Sequence, residues 1–188
     1  MKKLVAMLLA GVMVFGCVAC GAAETKEPLT VESAQVLLSN VWDTYGEDEK
    51  FFAMGGHFEA PVDNAPGAYD VSKVEDLSIS FCIPTEAVAM VDDAATIMHA
   101  MNANNFSAAA YHVTDVANMQ TIIDGIKEQT LNNQWICGFP EKLIIVTVGD
   151  DYLVTAFGAA DIVDNFNAKL ASQYDGYVTV SVEENLAE

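Results

Sequence analysis

The sequence predicts an α+β fold, a small and mainly antiparallel sheet packed against helices and preceded by an N-terminal signal segment. Three observations carry this. Two segments place apolar residues at helical spacing, around Val36–Tyr45 and Val116–Ile126. A nearly all-apolar, β-branched run, Leu143–Val148, is followed by Gly149-Asp150-Asp151 and a second run, Tyr152–Phe157, as a hairpin requires. Lastly, Tyr177–Val182 alternates, with Val178, Val180 and Val182 set for one face of an edge strand.

In chain order, Thr30 is the expected cap of a first helix carrying Val36, Leu37, Val41, Trp42 and Tyr45, which Gly46 ends. Residues 51–70 combine Gly55-Gly56, Pro61 and Pro66-Gly67 with five aromatics or methionines, the composition of an ordered irregular segment pinned to a core. A short helix follows around Ser72–Leu77. Thr85 then starts a helix to about residue 102, because Val88, Val91, Ala95, Met98 and Asn102 recur at steps of three or four; Asn102, Asn104 and Asn105 close it. Phe106–Thr114 reads as an alanine-rich strand, and Asp115 caps the helix bearing Met119, Ile122, Ile123 and Ile126. The run at 143–148 is a strand covered on both faces. Ile162, Val163, Phe166 and Leu170 make a last helix. The order β-α-β-β-α-β after leading helices implies an α+β sandwich.

Met1-Lys2-Lys3 followed by the apolar run Leu4–Phe15 has the charge and length of an export signal and is too short to span a bilayer. Cys17-Val18-Ala19-Cys20-Gly21 resembles the lipobox of bacterial lipoproteins. Cys20 fits the acylated position better than Cys17, since Ala19 is small, Gly21 follows, and Cys17 would have bulky Phe15 two residues before it. The division expected is residues 1–19 as signal, 20–29 as a flexible tether and 30–188 as one domain, held on the outer face of a Gram-positive membrane by acyl chains such as palmitate. The 188 residues include 8 Lys plus Arg against 27 Asp plus Glu, a net charge of -19, and every basic residue is Lys. Loss of Lys2 and Lys3 with the signal takes this to -21. Such a charge repels phosphate backbones, so nucleic acid is excluded as a partner. The expected partners are the membrane, through the anchor, and an unknown extracytoplasmic protein or small molecule.

Pro66-Gly67, the run Asp92–Phe106, Ala110-Tyr111-His112, the run Gln134–Pro140 and Phe157-Gly158 together resemble an uncharacterised family of Firmicutes surface lipoproteins found in gut Clostridia, a domain of unknown function. The resemblance spans about Trp42 to Leu170 and rests on H-x-M-N-A-N combined with W-x-C-G-F-P. It implies an exported lipoprotein with an α+β domain and brings no catalytic residues.

Candidate binding residues are His57, His99, Asn102, Asn104 and Trp135. His57 follows two glycines in a loop, whereas His99 and His112 sit within predicted elements; none of the three has the local spacing of a metal site, so no metal or cofactor is expected. Asp63, Asn64, Asp70, Glu75 and Asp76 offer at most loose calcium contacts without the spacing of a calcium loop. Trp135–Pro140 resembles the W-C-G-P-C loop of thioredoxin-like oxidoreductases but lacks the second cysteine. Cys82 and Cys137 either form a disulfide closing 54 intervening residues, worth roughly 4 kcal/mol, or pack separately as small apolar groups. No nucleophile signature is present. The expectation is a binding or accessory domain without catalysis. The alternative is an extracytoplasmic thiol-redox or hydrolytic enzyme using the Trp135–Pro140 loop and His57.

Overall fold

A computed structural model describes residues 27–186. The expected export signal, with Cys17 and Cys20, lies outside these residues. Helix α1 (Ala34–Trp42) starts at Ser33, not Thr30: the Ser33 hydroxyl accepts the Val36 N–H at 3.2 Å, and Asp93 Oδ2 accepts the Ala34 N–H at 2.7 Å. The distant Asp93 carboxylate thus decides where the helix begins.

The segment expected to be irregular contains three short strands, β1 (Ala53–Gly55), β2 (Val62–Asp63) and β3 (Gly67–Tyr69). Strands β1 and β3 share one edge of β4 (Val91–His99), β1 against Ile97–His99 and β3 against Ala94–Thr96. Where they meet, a Cβ on Gly55 would lie 2.3 Å from Gly67 N, so both glycines are needed for the backbones to touch.

Helix α2 (Val74–Phe81) and a single turn, α3 (Thr85–Val88), precede β4. The helix expected to run from 85 to about 102 is therefore mostly strand. Its three-and-four spacing is incidental: Ala94 and Met98 face one side of the sheet, Ala95 and Ile97 the other, and every residue from Ala94 to Met98 is buried. A strand covered on both faces loses the alternation that would have revealed it. Strand β5 (Phe106–Val113), helix α4 (Met119–Asn132), strands β6 (Lys142–Val148) and β7 (Tyr152–Gly158), helix α5 (Ala160–Gln173) and strand β8 (Val178–Asn185) follow as expected. All pairings are antiparallel, in the order β2-β1-β4-β5-β7-β6-β8.

The fold is α+β. Helices α1 and α5 cover one face, through Leu37, Leu38, Val41, Val163, Phe166 and Leu170; α2, α3 and α4 cover the other. Close approach of the helices requires small residues in the middle strands, which Ala94, Ala95, Ala108, Ala109 and Ala110 supply. At the β8 edge the expectation of three valines on one face is corrected. Ile145 pairs with Val182 and Val146 with Val180, so Ser181 is bulged out; Val178 packs toward α5 and Val182 toward α4.

The sheet has two distinct ends. Leu29 packs on Gly149, Tyr177 Oη donates to Glu27 O at 2.9 Å and Tyr152 Oη to Val31 O at 3.4 Å, so the described chain begins at the β6–β7 hairpin end. The 133–141 connection lies at the opposite end, across strands of seven to nine residues, about 25 Å away.

Ala110→Leu overpacks the face under α1 and is expected to destabilise the domain by about 1–3 kcal/mol in urea unfolding; an unchanged midpoint would contradict the tight helix–sheet contact.

Candidate functional site

At the far end of the sheet, the turn after β4 and the connection before β6 are locked together by two asparagine side chains. Asn102 Oδ1 accepts the Asn104 N–H at 3.0 Å, which turns its Nδ2 outward to donate to Cys137 O at 3.1 Å. Asn104 Nδ2 donates to Ile136 O and to Gly138 O, each at 2.8 Å. Three successive carbonyls are thereby aimed at one neighbour, an arrangement that suits the left-handed Cys137 (φ 66°) and Gly138 (φ 123°). Ile136 is 78% exposed and Phe139 76%, while Pro140 is buried and anchors the exit.

His99 supports this clamp. Its Nδ1 accepts the N–H groups of Met101 (3.2 Å) and Asn102 (3.4 Å), which leaves the ring proton on Nε2, and the ring stacks on Phe51 with centroids 5.3 Å apart. Trp135 packs on Phe157 at 5.0 Å and forms the floor of a groove of about 270 Å³ with Met98, Ala103 and Asn104. Phe58 and Ile79 stand at its rim, 49% and 75% exposed. Among the described residues, no carboxylate, imidazole or thiol lines it.

Four of the five predicted binding residues thus converge on this end: His99, Asn102, Asn104 and Trp135. His57 does not join them. Its ring meets Tyr69 edge to face at 5.9 Å, and its buried Nδ1 has no hydrogen-bond partner; its neighbour Phe58 reaches the groove instead. Cys82 and Cys137 are not bridged. Cys82 is buried at the left-handed end of α2, where Asn133 Nδ2 contacts its Sγ at 3.8 Å, whereas Cys137 is exposed on the clamped connection. Burial pushes the Cys82 thiol up to about 11, which keeps it protonated and a poor nucleophile at neutral pH. Among the described residues, no three His, Cys, Asp or Glu side chains converge to hold a metal ion.

The sequence reading missed Ile79, Phe58 and Ile136 as surface features. Ile79 had a signal: it lies off the stripe of Val74, Leu77 and Phe81 that α2 buries or half-buries, at a position the helix period makes polar. A second polar constellation lies at the β6–β7 hairpin end. His112 Nδ1 meets Asp92 Oδ1 at 2.5 Å and Nε2 meets Asp151 Oδ2 at 3.3 Å, so acceptors on both nitrogens favour the doubly protonated ring. The hydrogen bond to Asp92 is the main cause that holds the His112 pKa above its ordinary 6.5, and Asp151 adds to it.

Comparison of the chain with protein-family models, curated proteins and solved structures returns no match.

Two outcomes follow from these contacts. Asn104→Ala removes both amide bonds from an exposed site, so global stability should fall by no more than about 1–2 kcal/mol, while Cys137 alkylation by a charged maleimide and proteolysis within 134–139 accelerate severalfold. Unchanged rates would show that the clamp does not order the segment. For His112, a raised folded-state pKa means that its stabilisation is complete below pH 6.5 and fades as pH rises through the folded value. His112→Gln should therefore be less stable than the parent at pH 6, and the gap should narrow as the buffer is taken upward from there; a gap constant from pH 5 to 9 would contradict the ion pairing.

Proposed function

We propose that the chain is a lipid-anchored, extracytoplasmic binding or accessory domain whose partner engages the end of the sheet remote from the tether. The supporting observation is the Asn102–Asn104 clamp. It spends two polar side chains on holding a segment whose apolar residues, Ile136 and Phe139, point into solvent. With Phe58, Ile79 and Met101 (77% exposed), these make an apolar end on a domain whose sequence is otherwise strongly acidic. Exposed large apolar side chains grouped in this way mark interaction sites.

Placement agrees with this reading. Acylation at Cys20 would leave six residues, 21–26, before the described chain begins at the hairpin end. An anchor there turns the hairpin end and His112 toward the bilayer and presents the clamped segment about 25 Å farther out. The uncharged groove favours binding over catalysis, since acid–base chemistry needs a titratable group within reach of the ligand.

Cys20→Ala in the producing cell tests the anchor. The parent protein should fractionate with membranes and incorporate labelled palmitate; the variant should lose the label and leave the membrane fraction. Equal membrane retention of both would refute acylation at Cys20. With the anchor intact, the double variant Ile136→Ser with Phe139→Ser should keep its fold by circular dichroism and lose its crosslinked partners in whole cells.

A further inference from the structure

The α2–α4 seam carries an electrostatic feature that the apolar end alone does not explain. Helix α2 ends at Phe81 and helix α4 at Asn132, and neither has a basic residue in its last turn. Ile79 and Ser80, in the last turn of α2, and Asn133 and Gln134, just past α4, all line the Trp135 groove. The last turns of two helices thus border this groove without a basic side chain.

The seam continues into a second cleft of about 410 Å³, lined by Ser78, Thr85, Glu86, Glu128, Gln129 and Asn132. Consecutive residues line the two spaces, Ser78 and Asn132 the cleft, Ile79 and Asn133 the groove, and Gln129 ties α2 to α4 by donating to Ser78 O at 2.9 Å and to Ser78 Oγ at 3.1 Å. Glu86 and Glu128 pair with no lysine among the described residues. Lys127, next to Glu128 in the chain, is already paired with Glu184. On the exposed side of α2, Glu75 and Asp76 lie one turn before Ile79.

We infer that this seam takes an extended basic peptide segment of the partner, with an aliphatic or aromatic side chain on Trp135 and Phe157 and an adjacent lysine or arginine in the cleft of Glu86 and Glu128. The inference rests on the binding role proposed above and names its partner class. Protruding Phe58, Ile79 and Ile136 leave the groove open, which suits a chain laid across it. The sequence charge of -19 opposes a second copy of this chain as the occupant.

The test uses the full acylated chain in neutral detergent and fluorescein-labelled pentapeptides of alternating leucine and lysine, with matched peptides carrying glutamine or glutamate in place of lysine. Anisotropy should give the lysine peptide at least about tenfold tighter binding than the glutamine peptide, with no binding of the glutamate peptide. Glu86→Gln with Glu128→Gln should erase that preference, and Ile79→Ser should weaken lysine and glutamine peptides alike. Three results would overturn the inference. Equal affinity for lysine and glutamine peptides, still dependent on Ile79, removes the charge assignment and leaves the binding surface standing. Lysine binding indifferent to all three substitutions is general attraction to an acidic protein. Failure of every peptide, with the fold intact, rejects the groove as a peptide-binding surface; the binding role proposed above is then judged separately, by whether Ile136→Ser with Phe139→Ser loses crosslinked partners.

Discussion

Three carbonyl oxygens in a row, those of Ile136, Cys137 and Gly138, must find donors if the segment before β6 is to hold one shape, and the side chains of Asn102 and Asn104 provide them. A connection without repeating structure has no ladder to satisfy its backbone, so its conformation depends on such side-chain donors. Here the donors sit on one side only. With the carbonyls held inward, Ile136 and Phe139 stand exposed on the surface of the segment. Order in this segment precedes any partner, which lowers the entropy lost on binding.

That clamp depends in turn on the sheet. Strands β4 and β5 are joined through the turn holding Asn102 and Asn104, and β4 is fixed between β5 and the split edge of β1 and β3. Helices on both faces bury the middle of each central strand and make the sheet a stiff support between its two ends. One end receives the incoming chain and carries His112 between Asp92 and Asp151; the other carries the clamp. Asp93, next to Asp92 on β4, caps α1, so one short stretch ties the sheet to the start of the first helix.

Elements whose physics is local were legible in the sequence. Helix α4 announced itself by four apolar residues at helical spacing, although Asp115, expected to cap it, caps instead the 3-10 turn Val116–Asn118 that leads into it, and the β6–β7 hairpin announced itself by two β-branched runs around Gly149-Asp150-Asp151. Strand β4 was not legible, because burial on both faces erased its period and left an accidental helical one. Nor was the Ser181 bulge, which appears only when β8 is laid against β6. The site was legible in part. Asn102, Asn104 and Trp135 lie in the two motifs H-x-M-N-A-N and W-x-C-G-F-P, but their engagement spans more than thirty residues of sequence. Periodicity and capping carry no information at that range. Cys82 and Cys137, the one long-range contact that spacing suggested, remain separate, since one is sealed under α2 and the other stands in solvent.

The most direct test of the preordered segment is backbone relaxation of the isotopically labelled, unliganded protein. Amide order parameters for Ile136, Cys137 and Gly138 should match those of β6 and β7, near 0.85. Values below about 0.6 for these amides, with the strands rigid, would mean that the two asparagines do not hold the segment and that the apolar end forms, if at all, only after a partner arrives.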